Sequence, residues 1–145
     1  MEKAEAERLE QERLNAANAK EQSKKDSIKR LLEEGANFDK QKEYARAASA
    51  YSGALRLDPN NMSIYFRHGW SSFKAGSTRD GLSKMKEAID AGVNDPESLG
   101  KLGEILMREG PDQDLGLAER LLQSSVEQDG QNPETLVWLG RVYEK

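Results

Sequence analysis

The sequence predicts an all-α protein made of antiparallel helix–turn–helix repeats, preceded by a charged N-terminal helix. Three observations carry this. Residues 28–61 hold two helical patterns back to back, joined by a short polar turn and closed by Asp58-Pro59. The pattern returns 34 residues on, and again after a further 34, and its first half returns once more after 37. Residues 1–27 are rich in Glu, Lys, Arg, Gln and Ala and contain neither Gly nor Pro, a composition of high helix propensity.

In this leader, Glu5/Arg8, Glu10/Arg13 and Glu21/Lys25 stand three or four apart, as ion pairs on a helix do. Leu9 and Leu14 are five apart and do not sustain a heptad, so a coiled coil is only weakly supported. The expectation is a solvated helix leading into the repeats, with the end of a longer helix, or one docking on a neighbouring molecule, as the alternative.

The opening unit shows Leu31, Leu32, Gly35 and Phe38 on one helical face. After a break at residues 39–42 come Tyr44, Ala47, Ala48, Tyr51, Ala54 and Leu55. Asp58-Pro59 ends the second helix, because the residue before a proline avoids α geometry. In the second unit Tyr65, Gly69 and Ala88 fall where Leu31, Gly35 and Ala54 stood, and Gly76 occupies the turn. In the third, Pro96 opens a helix carrying Leu99, Leu102, Gly103 and Leu106, a good place for proline. Residues 110–114 lengthen the next turn; Ala118, Leu121, Leu122, Ser125 and Val126 follow. Pro133, Leu136, Leu139, Gly140 and Tyr143 form the first helix of a fourth unit. The expected division is a leader over residues 1–27 and a repeat domain over residues 28–145, with repeats starting near 28, 62, 96 and 133. A unit of this kind cannot bury its apolar face alone, so stacking makes the core. The half-unit at the C-terminus suggests a piece of a longer protein.

Composition narrows the function. With 33% charged and 36% hydrophobic residues the chain suits exposed amphipathic helices. A net charge of −4 lacks the basic footprint of a nucleic-acid binder. There is no cysteine for a disulfide, a thiolate metal site or a nucleophile. No apolar run approaches a membrane span, and no signal-peptide core is present; a cytoplasmic protein is expected. The single histidine, His68, sits where Leu102 and Leu139 sit in later units and reads as a packing residue. No metal-ligand cluster or phosphate-cradling loop appears. Neither catalysis nor a cofactor is expected within this stretch.

The 34-residue period resembles the tetratricopeptide repeat, whose signature runs W-x2-L-G-x2-Y, A-x3-F and P. Leu136-x2-Leu139-Gly140-x2-Tyr143 follows it with Leu for Trp, and Leu99-x2-Leu102-Gly103-x2-Leu106 follows it nearly as well. The opening unit supplies Gly35-x2-Phe38, Ala47-x3-Tyr51 and Pro59. The second departs most: Ser72 replaces the aromatic, Gly81 the alanine and Val93 the proline. The resemblance implies a right-handed α-solenoid whose first helices line a concave groove.

On the groove positions that the resemblance implies, the second unit places Phe66, Arg67, Trp70, Phe73 and Lys74. The third adds Lys101, Met107 and Arg108, and the fourth Trp138 and Arg141. Aromatics with arginine are the residues that anchor interfaces. The expected function is a non-enzymatic interaction module holding a partner peptide or helix there, with Phe66, Trp70 and Met107 as apolar anchors. Two arrangements stay open: Phe73 packs inward in place of the aromatic missing at Ser72, or Phe66 and Trp70 are covered by the leader or a neighbouring chain. Relatives that clamp the C-terminal carboxylate of Hsp70 or Hsp90 use Lys, Asn and Arg where this chain has Leu32, Ala36, Arg67, Glu97 and Lys101, so that clamp is not expected in its usual form. The alternative function is a structural segment of a larger superhelix in a ciliary, transport or import assembly, self-associating through the N-terminal helix or the incomplete last repeat. A regulatory region of an enzyme is a third reading.

Overall fold

The computed structural model describes residues 2–129, 136, 137, 140 and 141. Its regular elements are helical, and they fall into two compact units, residues 1–61 and 62–145. The predicted repeat start at 133 lies outside the described residues.

The first unit is a hairpin of α1 (Glu2–Lys40) and α2 (Tyr44–Leu57). No Gly or Pro interrupts residues 2–34, and α1 accordingly runs through residues 27–28 without a break. At ~1.5 Å per residue it is roughly 58 Å long. Residues 2–26 are exposed along their whole length; Arg8 lies 3.9 Å from Glu5 and 3.4 Å from Glu12, and Arg13 2.5 Å from Glu10. Only the later part of α1 is covered. There Gly35 lies against the ring of Tyr51, so close that a Cβ at 35 would sit 2.6 Å from it. The buried Tyr51 hydroxyl donates to Asp39 at 3.2 Å, tying the end of α1 to α2. The turn between the helices is closed by Lys42 in the left-handed region at φ 62°. α2 ends at Leu57, ahead of Asp58-Pro59.

The second unit comprises α3 (Met62–Lys74), α4 (Thr78–Asp90), α5 (Pro96–Glu109) and α6 (Leu115–Gln128). Gly76, 34 residues beyond Lys42, makes the α3–α4 turn at φ 113°. Pro96 opens α5, and the Asp95 carboxylate accepts the Ser98 N–H at 3.0 Å, satisfying one of the orphan donors of the first turn. The lengthened turn at residues 110–114 contains a short 3₁₀ turn, Asp112–Asp114, held to α4 by Lys86–Asp114 at 2.9 Å. The core is a cluster of Phe66, Met85, Leu99, Leu102, Ile105, Leu106, Met107 and Leu121 with smaller neighbours.

The repeat that departs most from the signature has a physical explanation. A Cβ on Gly81 would lie 2.5 Å from the Gly69 carbonyl oxygen and 2.6 Å from the Phe73 nitrogen. The α3 and α4 backbones touch there, and the two glycines are what permit it. At that separation the small, buried Ser72 sits where the first and third units carry Phe38 and Leu106.

Candidate functional site

Next to that close crossing, the C-terminal part of α3 (residues 70–74) and residues 101–109 of α5 line a cavity of about 260 Å³. Its apolar surfaces are Trp70, Phe73 and Ile105. Trp70 and Phe73 are half-buried against the core, and Ile105 belongs to it. Its rim is charged: Lys74 from α3, and Lys101, Glu104, Arg108 and Glu109 from α5.

Trp70 is the centre of the arrangement. The Lys101 ammonium stands 4.1 Å above its ring and the Lys74 ammonium 5.8 Å from it. A cation over an indole face is attracted to the ring quadrupole by about 0.5–2 kcal/mol. Two helices thus converge two positive charges on one aromatic ring. Lys101 also pairs with Glu97 at 3.0 Å, and Arg108 with Glu104 at 2.6 Å, each one turn back along α5. Such partly exposed pairs are worth at most about 1 kcal/mol, so an incoming acid displaces the resident one at little cost.

The residues singled out in the sequence separate into three groups. Trp70, Phe73, Lys74, Lys101 and Arg108 come together around the cavity. Arg67 is exposed on α3 and Arg141 is exposed; neither lines it, and Trp138 lies outside the described residues. Phe66 and Met107 are not solvent-facing anchors. They are 2% and 5% exposed and belong to the core cluster. Phe66 from α3 and Met107 from α5 both pack among the other members of that cluster, so the solvent-facing register expected of the groove does not hold at these two positions. Sequence reasoning missed Ile105 and Glu109. Ile105 was legible as an apolar residue four after Lys101 and three before Arg108, on the same helical face.

His68 lies outside this cavity. Its ring is half-buried, and Nδ1 is buried with no hydrogen-bond partner among the described residues. Burial pushes the imidazole below its ordinary pKa, nearby Lys84 adds to this, and Asp80 opposes it. Among the described residues, no group of three or more acidic or histidine side chains could hold a metal ion, and no helix is long and apolar enough to cross a membrane.

Neither a protein-family model nor a curated protein sequence matches this chain. Solved structures do. The second tetratricopeptide domain of human RPAP3, in complex with the HSP70 peptide SGPTIEEVD, superposes with a TM-score of 0.66 at 16% identity, covering 84% of this chain and 99% of that one. The first such domain of Spaghetti (RPAP3), bound to the HSP90 peptide SRMEEVD, gives 0.68 at 18% identity, covering 82% and 92%. The tetratricopeptide domain of Arabidopsis OM64 gives 0.69 at 14% identity, covering 83% and 98%. The chain therefore has the all-α, helix–turn–helix architecture of the tetratricopeptide-repeat solenoid.

Proposed function

We propose that this chain is a non-enzymatic protein-interaction module whose Trp70 cavity holds a peptide or helix of a partner protein. The observation that carries the reading is the half-buried Trp70, flanked by Lys74 and Lys101 and set beside the apolar surfaces of Phe73 and Ile105. Such a pocket accepts an apolar anchor, while Lys74, Lys101 and Arg108 receive acidic neighbours. Two of the similar structures hold acidic peptides of chaperones, which supports peptide holding as a use of the fold. The partner here is of another kind: Leu32, Ala36 and Glu97 stand where the carboxylate clamp needs cationic and amide side chains. A structural role in a larger assembly is the second reading, favoured by the exposure of α1 over residues 2–26.

Selection from a random linear-peptide display library tests the leading reading. Wild-type protein enriches sequences with one apolar residue flanked by acids, and Trp70→Ala/Lys101→Glu, still helical by circular dichroism, does not. Equal enrichment by both proteins would remove the cavity from the function. The peptide SRMEEVD binds at least about tenfold more weakly than the selected sequences, a difference of about 1.4 kcal/mol.

A further inference from the structure

We propose that the first part of α1 docks into the Trp70 cavity of a second copy of this chain, joining copies head to tail. The proposal rests on the cavity being a binding site, and it names an occupant.

The helix has the right chemistry. Residues 2–13 carry five glutamates against Lys3, Arg8 and Arg13. Leu9 and Leu14 on this segment are exposed at 53% and 44%. Glu5 lies one turn before Leu9 and Glu12 one turn after it, on the same face, with Arg8 between the two glutamates and the small Ala16 one turn beyond Glu12.

The spacing matches as well. Glu5, Leu9 and Glu12 stand four and then three residues apart. On α5 the cavity-lining residues Lys101, Ile105 and Arg108 stand four and then three apart. Both sets therefore span roughly 10 Å along a helix axis. Laid parallel to α5, the first part of α1 brings Glu5 to Lys101, Leu9 to Ile105 and Glu12 to Arg108. Leu9 enters the cavity between Ile105, Phe73 and Trp70. The cavity, at about 260 Å³, takes one such side chain and not a helix, so α1 lies across its mouth. The charged groups on both sides have ion-pair partners about one turn away on their own helices. Glu5 and Glu12 share Arg8 at 3.9 and 3.4 Å, while Lys101 and Arg108 pair with Glu97 and Glu104. Exchanging exposed pairs for others costs little.

A contact between two different surfaces leaves one of each unused at the ends of any assembly, so it extends instead of closing as a two-fold dimer. Sedimentation velocity on the full chain should give a mean mass that rises with concentration past that of a dimer and falls as salt is raised to about 0.5 M. Leu9→Glu, which alters only an exposed side chain, is monomeric. Lys101→Glu/Arg108→Glu is monomeric as well. Mixed in equal amounts, the two variants form a dimer that grows no further, because one supplies an intact helix and the other an intact cavity. Adding Glu5→Lys and Glu12→Lys to the cavity variant restores assembly of that chain with itself.

A wild-type chain that stays monomeric at every concentration overturns the proposal, as does assembly that survives Leu9→Glu. A mixture that stays monomeric while the wild type assembles also overturns it, and points to a symmetric contact. Leu9→Glu keeps its cavity. If it still captures the selected peptides, a failure of self-docking leaves the peptide-holding reading intact; if it and the wild type both fail to capture them, that reading is what has failed.

Discussion

The two hairpins α1–α2 and α3–α4 use the same repeat position in different ways. In the first, Gly35 makes room for a side chain: the ring of Tyr51 fills the space and its hydroxyl reaches Asp39. In the second, Gly69 makes room for α4 itself, its main chain at Gly81 and Met85 and the Lys84 Cβ beside it. One crossing is filled by an aromatic ring and the other by main-chain contact. The second arrangement has a consequence for the site. Its crossing needs no large side chain, so the aromatic residues of α3 serve elsewhere: Phe66 in the core, Trp70 and Phe73 on the cavity.

The sharpest way to break this comparison is to restore the signature alanine at position 81. Gly81→Ala places a methyl against main-chain atoms of α3, which cannot rotate away. It should destabilise the protein by about 2–4 kcal/mol despite the better helix propensity of alanine, measured by urea unfolding. Gly35→Ala meets the Tyr51 ring, which has some freedom to tilt, and should cost about 1–3 kcal/mol. If Gly35→Ala is the more damaging of the two, the distinction between ring contact and backbone contact is wrong. Tyr51→Phe, which deletes only the hydroxyl, should cost about 1 kcal/mol.

His68, next to the second crossing, gives a pH test. Its folded-state pKa is depressed, first by burial. The unfolded chain therefore binds a proton more readily, so the contribution to stability is full above the unfolded pKa of about 6.5 and is lost as pH falls below it. Thermal unfolding between about pH 7.5 and about pH 5.5 should show a fall in Tm for the wild type and a flatter profile for His68→Leu. That variant should also gain about 1 kcal/mol near neutrality by removing a buried nitrogen that has no partner. The smallest effect contrasts the two turns. Lys42 holds the left-handed conformation that Gly76 holds 34 residues later, so Lys42→Gly should stabilise the first hairpin by about 0.5–1 kcal/mol.

Much of the fold was legible. The helical periodicity of residues 96–128, the proline opening α5 and the left-handed turn at Gly76 all follow from residue type and spacing. The continuity of α1 through residues 27–28 was legible too, since no breaker stands there, although the repeat period invites a boundary at 28. The cavity was only half legible. Trp70, Phe73, Lys74, Lys101 and Arg108 could be placed on one groove face from the repeat register. Phe66 and Met107 share that register and are nevertheless buried in the core cluster, because burial depends on contacts between helices that the register of a single helix does not encode. The cation over the Trp70 ring joins residues 31 apart on different helices, a contact that no helical period encodes.

The most direct test of the central claim reads Trp70 itself. The chain has two tryptophans, so Trp138→Phe leaves a single indole N–H resonance. Titrating a library-selected peptide into that variant should shift this resonance in proportion to occupancy, and Lys101→Glu should weaken the binding at least about tenfold. Tight binding with the Trp70 resonance unmoved would contradict the account.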